Sequence, residues 1–100
     1  MRVYESGLML WPDQERMLIG LGNSAYAARD LASAEDAFRR AVLAHPDSSA
    51  ARNNLAHVLA ARGRLEEAAA MAREALALGG RHAETAARTL AEIEKRRVAD

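Results

Sequence analysis

Three histidines and one pair of glycines are the residues whose type and spacing could carry chemistry. His45, His57 and His82 are scattered along the chain. His45 stands before Pro46, His57 lies inside an apolar run, and His82 follows Gly79-Gly80. His82 and Glu84 are two positions apart and do not share a helix face. The chain holds no HExxH, no Walker loop and no Ser-His-Asp candidate. It has no cysteine, which removes disulfides, thiolate nucleophiles and Cys-type zinc sites. Gly20, Gly22 and Ala25 imitate a dinucleotide fingerprint of the GxGxxA type. That fingerprint needs a preceding strand and a helix start facing the phosphates. Here both glycines sit inside a helical stripe, so close helix packing is their expected role. No catalytic, cofactor or metal site is expected, and the chain is read as non-enzymatic.

The elements around these residues are helices. Leu18, Leu21, Ala25 and Ala28 recur at steps of three and four. After Asp30 the spacing restarts with Leu31, Ala34, Ala37, Phe38, Ala41 and Val42, and Pro46 ends it. Asp13 and Asp30 can cap these two helices, and Asp47, Ser48 or Ser49 the next. Residues 47–62 and 64–78 read as a second pair, with Gly63 allowing a left-handed turn and Gly79-Gly80 a stop. Arg81–Arg97 reads as a last helix, with Ala83, Ala86, Ala87, Leu90, Ala91 and Ile93 as its stripe. Its Glu92, Glu94, Lys95, Arg96 and Arg97 are expected on a polar outer face. Each helix has one apolar face, so neighbours must stack to bury it.

A shift of 34 residues superposes the two pairs. Leu21-Gly22 falls on Leu55-Ala56, Asp30-Leu31 on Arg64-Leu65, Ala34 on Ala68, and Ala41-Val42 on Ala75-Leu76. Shifted backwards, Pro46-Asp47 falls on Pro12-Asp13, Val42 on Leu8 and Phe38 on Tyr4. This period, with a Leu-Gly pair, small residues at helix crossings and a closing proline, resembles the tetratricopeptide repeat over nearly the whole chain. The sequence departs from the pattern where large aromatics are expected, with Leu18 and Arg52 early and Ala25 and Leu59 later in the first helices. The turn glycine is Gly63 in one repeat and Arg29 in the other.

The resemblance implies an all-α, right-handed solenoid of antiparallel helix pairs. Its expected parts are a half repeat at 2–12, full repeats at 13–46 and 47–80, and a capping helix at 81–97. Val3, Tyr4, Leu8 and Trp11 would form the stripe of the half repeat, so the chain is expected to begin in mid-repeat as a fragment of a longer protein. Arginine supplies every basic residue but Lys95, which with the alanine excess suggests a GC-rich bacterial source.

Composition narrows the partners. Formal net charge is zero, so nothing points to nucleic acid or a membrane surface. No apolar run approaches the roughly 18 residues of a membrane span. Met1-Arg2 is followed by Val-Tyr-Glu-Ser and not by a signal-peptide core.

In the family that the chain resembles, the first helix of each pair faces a concave groove. By that alignment Arg16, Ile19, Asn23 and Tyr26 face it from the first full repeat. Ala50, Asn53, Asn54 and His57 follow from the second, and Glu84, Ala87 and Arg88 from the last helix. Asparagine carries donors and an acceptor and suits a peptide backbone, while arginine can hold a carboxylate bidentately. Some family members clamp a peptide's terminal carboxylate with two lysines, two asparagines and an arginine. Asn23, Asn54 and Arg88 match that set, but Ile19 and Glu84 stand at the lysine positions and argue against a full clamp.

The resemblance therefore implies a protein- or peptide-binding scaffold. An alternative is an accessory region of a bacterial enzyme, such as a papain-like peptidase, whose catalytic domain lies outside this chain. A third is a self-associating array. A symmetric homodimer through residues 2–11, with Ile19 and Tyr26 nearby, is expected from the apolar surface that a lone leading helix leaves.

Overall fold

The computed structural model describes residues 14–99. The half repeat expected at 2–12 and the Asp13 cap lie outside the described residues. Five α-helices follow one another: α1 Gln14–Ala27, α2 Leu31–Ala44, α3 Ser49–Ala61, α4 Leu65–Leu78 and α5 Ala83–Ala99. A single 3-10 turn, Gly80–His82, leads into α5. Among the described residues there is no strand.

Local signals explain the breaks. Asp30 caps α2 by accepting from the Ser33 amide at 3.2 Å, and Ser48 caps α3 by accepting from the Ala51 amide at 3.1 Å. The turn between α1 and α2 places Arg29 at φ +67°, and the equivalent turn between α3 and α4 places Gly63 at φ +84°. Gly79 and Gly80 both take positive φ and end α4. The last helix starts later than expected, because the 3-10 turn takes up Gly80–His82.

The packing is that of an α-solenoid of helix pairs. α1 packs on α2, α3 on α4, and α2 and α4 carry the contacts forward to α3 and α5. Alanine dominates the crossings: Ala34, Ala37, Ala41, Ala51, Ala56, Ala68, Ala72 and Ala75 are buried. Their small side chains let the helix axes approach. Larger residues fill the space between pairs, with Phe38, Leu55, Val58 and Leu59 fully enclosed.

Two expectations about α1 are corrected. Leu21, assigned to the apolar stripe, is 59% exposed, and Ala28 is exposed as well. Among the described helices α1 packs on α2 and lightly on α3, so the rest of its circumference has no described neighbour. Of the two glycines assigned to close packing, only Gly22 is buried; nothing lies within 4 Å of where a Gly20 side chain would begin.

One electrostatic ring ties α2 to α4. Glu35 accepts from Arg39 Nε at 2.8 Å and Arg64 Nη1 at 2.9 Å. Glu67 accepts from Arg39 Nη2 at 2.6 Å and Arg64 Nη2 at 3.1 Å, closing the ring. Burial pushes the Glu35 carboxyl up, but the Arg39 hydrogen bond and the Arg39 and Arg64 charges outweigh it and hold it low. The Arg39 hydrogen bond likewise lowers Glu67. Arg52–Glu74 and Arg73–Glu94 make further links between helices.

Candidate functional site

Three adjoining hollows lie where α1, α3 and α5 run side by side, and His57 lines all of them. The helical repeat explains the set. On α3, residues 50, 54, 57 and 61 fall on one stripe at steps of three and four. All four are exposed or half-buried, while the residues beside them, Ala51, Leu55, Ala56 and Val58, are buried.

The first hollow lies between α1 and α3 and has a volume of about 230 Å³. Asn23 and Tyr26 of α1, Asn54, His57 and Val58 of α3, and the Phe38 ring line it. Asn54 Nδ2 donates to Asn23 Oδ1 at 3.4 Å, at the outer limit of a hydrogen bond. The second hollow is smaller, about 110 Å³, and is bounded by Tyr26, His57, Ala61, Glu92 and Arg96. The third, about 280 Å³, is bordered by His57, Thr85, Arg88, Thr89 and Glu92.

His57 Nε2 lies 3.2 Å from Thr89 Oγ1. Desolvation of the ring pushes the imidazole below its ordinary pKa, and the Glu92 charge pulls partly the other way. Arg88 pairs loosely with Glu84 at 3.8 Å on the same helix.

Of the groove residues expected from the sequence, the structure brings Asn23, Tyr26, Asn54 and His57 to one hollow and Arg88 to the next. Arg16 is exposed but lines none of these hollows. Ile19 packs against the core cluster and is only half-exposed. Asn53 does not reach the groove surface. It is only 6% exposed, and its Oδ1 accepts no hydrogen bond. Asn53 sits 100° around the helix from Asn54, on the flank of the stripe that turns inward.

The sequence reading missed the α5 contribution. Glu92 and Arg96, assigned to an outer polar face, line the hollows, together with Thr85 and Thr89. The signal was available: positions 85, 88, 92 and 96 recur at steps of three and four. Glu94 and Arg97 do point elsewhere, pairing with Arg73 and Glu66.

No group of three His, Cys, Asp or Glu among the described residues could hold a metal ion. No helix among them is long and apolar enough to cross a membrane. A family model described as Tetratricopeptide repeat matches residues 19–83. No curated protein matches the chain. With that match over more than half its length, the chain belongs to the tetratricopeptide repeat family. Repeats of this kind are generally non-catalytic modules of protein–protein interaction.

Proposed function

We propose that this member of the tetratricopeptide repeat family is a scaffold that binds a segment of another protein along the face shared by α1, α3 and α5, with no chemistry of its own. One observation carries the reading: three hollows along α1, α3 and α5 meet at His57, lined by amides, hydroxyls and both signs of charge. Such a surface offers backbone-matching hydrogen bonds without a nucleophile or a metal. Asn23, Tyr26, Asn54, His57 and Arg88 are its contact residues; Arg16 and Ile19 lie beside it on α1.

The test separates binding from folding. A photo-crosslinking residue at position 61 should capture a partner that one at position 40 on α2 does not. Asn23→Ala, Asn54→Ala and Arg88→Ala together should abolish that capture with helicity and Tm nearly unchanged. Capture that survives the triple variant, or a triple variant that melts much earlier, refutes the reading.

A second reading, a symmetric homodimer, is favoured by Met17 and Leu21, which are 63% and 59% exposed on α1. Their counterparts one repeat later, Ala51 and Leu55, are fully buried. The segment 2–11 assigned to that interface lies outside the described residues.

A further inference from the structure

We propose that α5 is a hinged helix that swings off α3 and α4 about Gly79-Gly80, is held shut by ion pairs that salt screens, and so makes or unmakes the C-terminal part of the groove. The hinge stands on the geometry of the free chain; its consequence for binding rests on the binding-scaffold reading.

The two joints between helix pairs are built differently. Between α2 and α3 the chain runs through Pro46, whose ring fixes φ. Arg52 donates to the Pro46 carbonyl from Nε at 3.1 Å and from Nη2 at 3.0 Å, and the Ser48 amide donates to the His45 carbonyl at 3.0 Å. Between α4 and α5 the 34-residue shift puts Gly80 where Pro46 stands. Gly79 and Gly80 take φ +72° and +76°, and nothing lies within 4 Å of where either side chain would begin. Two adjacent glycines with open space beside them can absorb the φ and ψ change of a swinging helix.

The contacts that hold α5 shut are thin and largely polar. Of its 17 residues Ala86, Thr89 and Ile93 are buried, and Leu90 packs half-buried beside them. By contrast α3 buries Leu55, Val58 and Leu59 as well as its alanines. On the α4 side, charges of opposite sign alternate in a chain: Glu66 to Arg97 at 2.7 Å, Arg97 to Glu94 at 3.0 Å, and Glu94 to Arg73 at 3.1 Å. Glu66 and Arg73 belong to α4, Arg97 and Glu94 to α5. Glu66 and Arg73 are exposed, so dissolved salt competes for these pairs. On the groove side the His57–Thr89 contact at 3.2 Å links α3 to α5. When α5 swings away, Arg88, Thr89, Glu92 and Arg96 leave His57. That dismantles the two hollows they line and spares the one between α1 and α3.

Native-state hydrogen exchange of the isotope-labelled chain reads the hinge without any partner, so its outcome is independent of whether the groove binds. A hinged opening should give the backbone amides of residues 87–93 one shared protection factor, at least about tenfold below that of Val58 and Leu59 in about 0.1 M NaCl. Between about 0.1 M and about 1 M NaCl the screening length falls from roughly 10 Å to roughly 3 Å, and the gap should widen about threefold. Glu94→Gln keeps the shape of the side chain and removes its charge. It should lower the α5 protection about threefold at the lower salt and abolish most of the salt dependence. Protection equal to that of α3 overturns the proposal. So does protection that rises steadily from Ala99 inward, which is fraying, and so does an α5 opening indifferent both to salt and to Glu94→Gln.

Discussion

Gly22 lies directly against the ring of Phe38: a Cβ added to the glycine would stand 2.6 Å from Phe38 Cζ and 2.7 Å from Cδ1. Phe38 is itself 1% exposed and cannot swing away without opening the core. Gly22→Ala should therefore destabilise the chain by about 1–3 kcal/mol, the usual cost of overpacking. Gly20, two positions earlier in the same helix, meets nothing within 4 Å. There the added methyl only lowers the entropy of the unfolded chain, so Gly20→Ala should stabilise by about 0.5–1 kcal/mol. Urea unfolding of both variants decides it, and the same sign for both would refute the packing account.

Arg29 and Gly63 occupy the same position of successive repeats and adopt the same left-handed backbone, at φ +67° and +84°. An L side chain is strained in that region, and glycine is not. Arg29→Gly should raise stability by about 0.5–1 kcal/mol, the strain relieved less the entropy that glycine adds to the unfolded chain. Gly63→Ala should lower it by a similar amount, about 1 kcal/mol. Both shifts are readable as Tm changes. A destabilised Arg29→Gly variant would show that the arginine side chain outweighs its backbone strain.

These two comparisons show why some of the fold was legible in sequence and some was not. The Asp30 and Ser48 caps, the Gly63 turn and the buried Phe38 follow from local rules, and the 34-residue shift aligns them between repeats. Periodicity reports that a residue lies on an apolar face. It does not report whether a neighbour covers that face, so Leu21 was assigned to the interior and is exposed. The same blindness merged Gly20 with Gly22, although only one faces Phe38. At the candidate site, Asn23, Tyr26, Asn54 and His57 came from repeat alignment, which places first-helix positions on one side. Asn53 was misplaced because one helical step turns it away. Glu92 and Arg96 looked like solvated end charges, because their relation to His57 arises only when α5 packs beside α3.

The ring of Glu35, Arg39, Glu67 and Arg64 predicts acid sensitivity. Both carboxyls are held below their ordinary value of about 4.3. A depressed folded-state pKa means that the unfolded chain binds protons first. The ring's contribution is therefore fully present above about pH 5 and is lost as pH falls through the folded pKa values. Glu35→Gln removes the most enclosed carboxyl and should cost about 0.5–1 kcal/mol at pH 7. At a pH low enough to protonate the folded parent's glutamates as well, the variant and the parent should converge. Melting curves at the two pH values test it. A stability gap that widens in acid would show that the ring is not what Glu35 contributes.

The exposed apolar residues of α1 give the last prediction. Met17 and Leu21 are open, yet the residues 34 positions later, Ala51 and Leu55, are buried within α3's contacts to its neighbours. The same register is thus covered in one repeat and bare among the described residues of the other. Apolar patches of this kind favour association over solvation. With a dyad-related second copy the same residues would meet across the interface, which is the geometry of an isologous dimer. At tens of micromolar the chain should sediment as a dimer. Met17→Gln with Leu21→Gln should move it towards monomer without loss of helicity, since neither side chain supports the core. A monomeric parent chain would refute the dimer. A double variant that stays dimeric would move the interface away from α1.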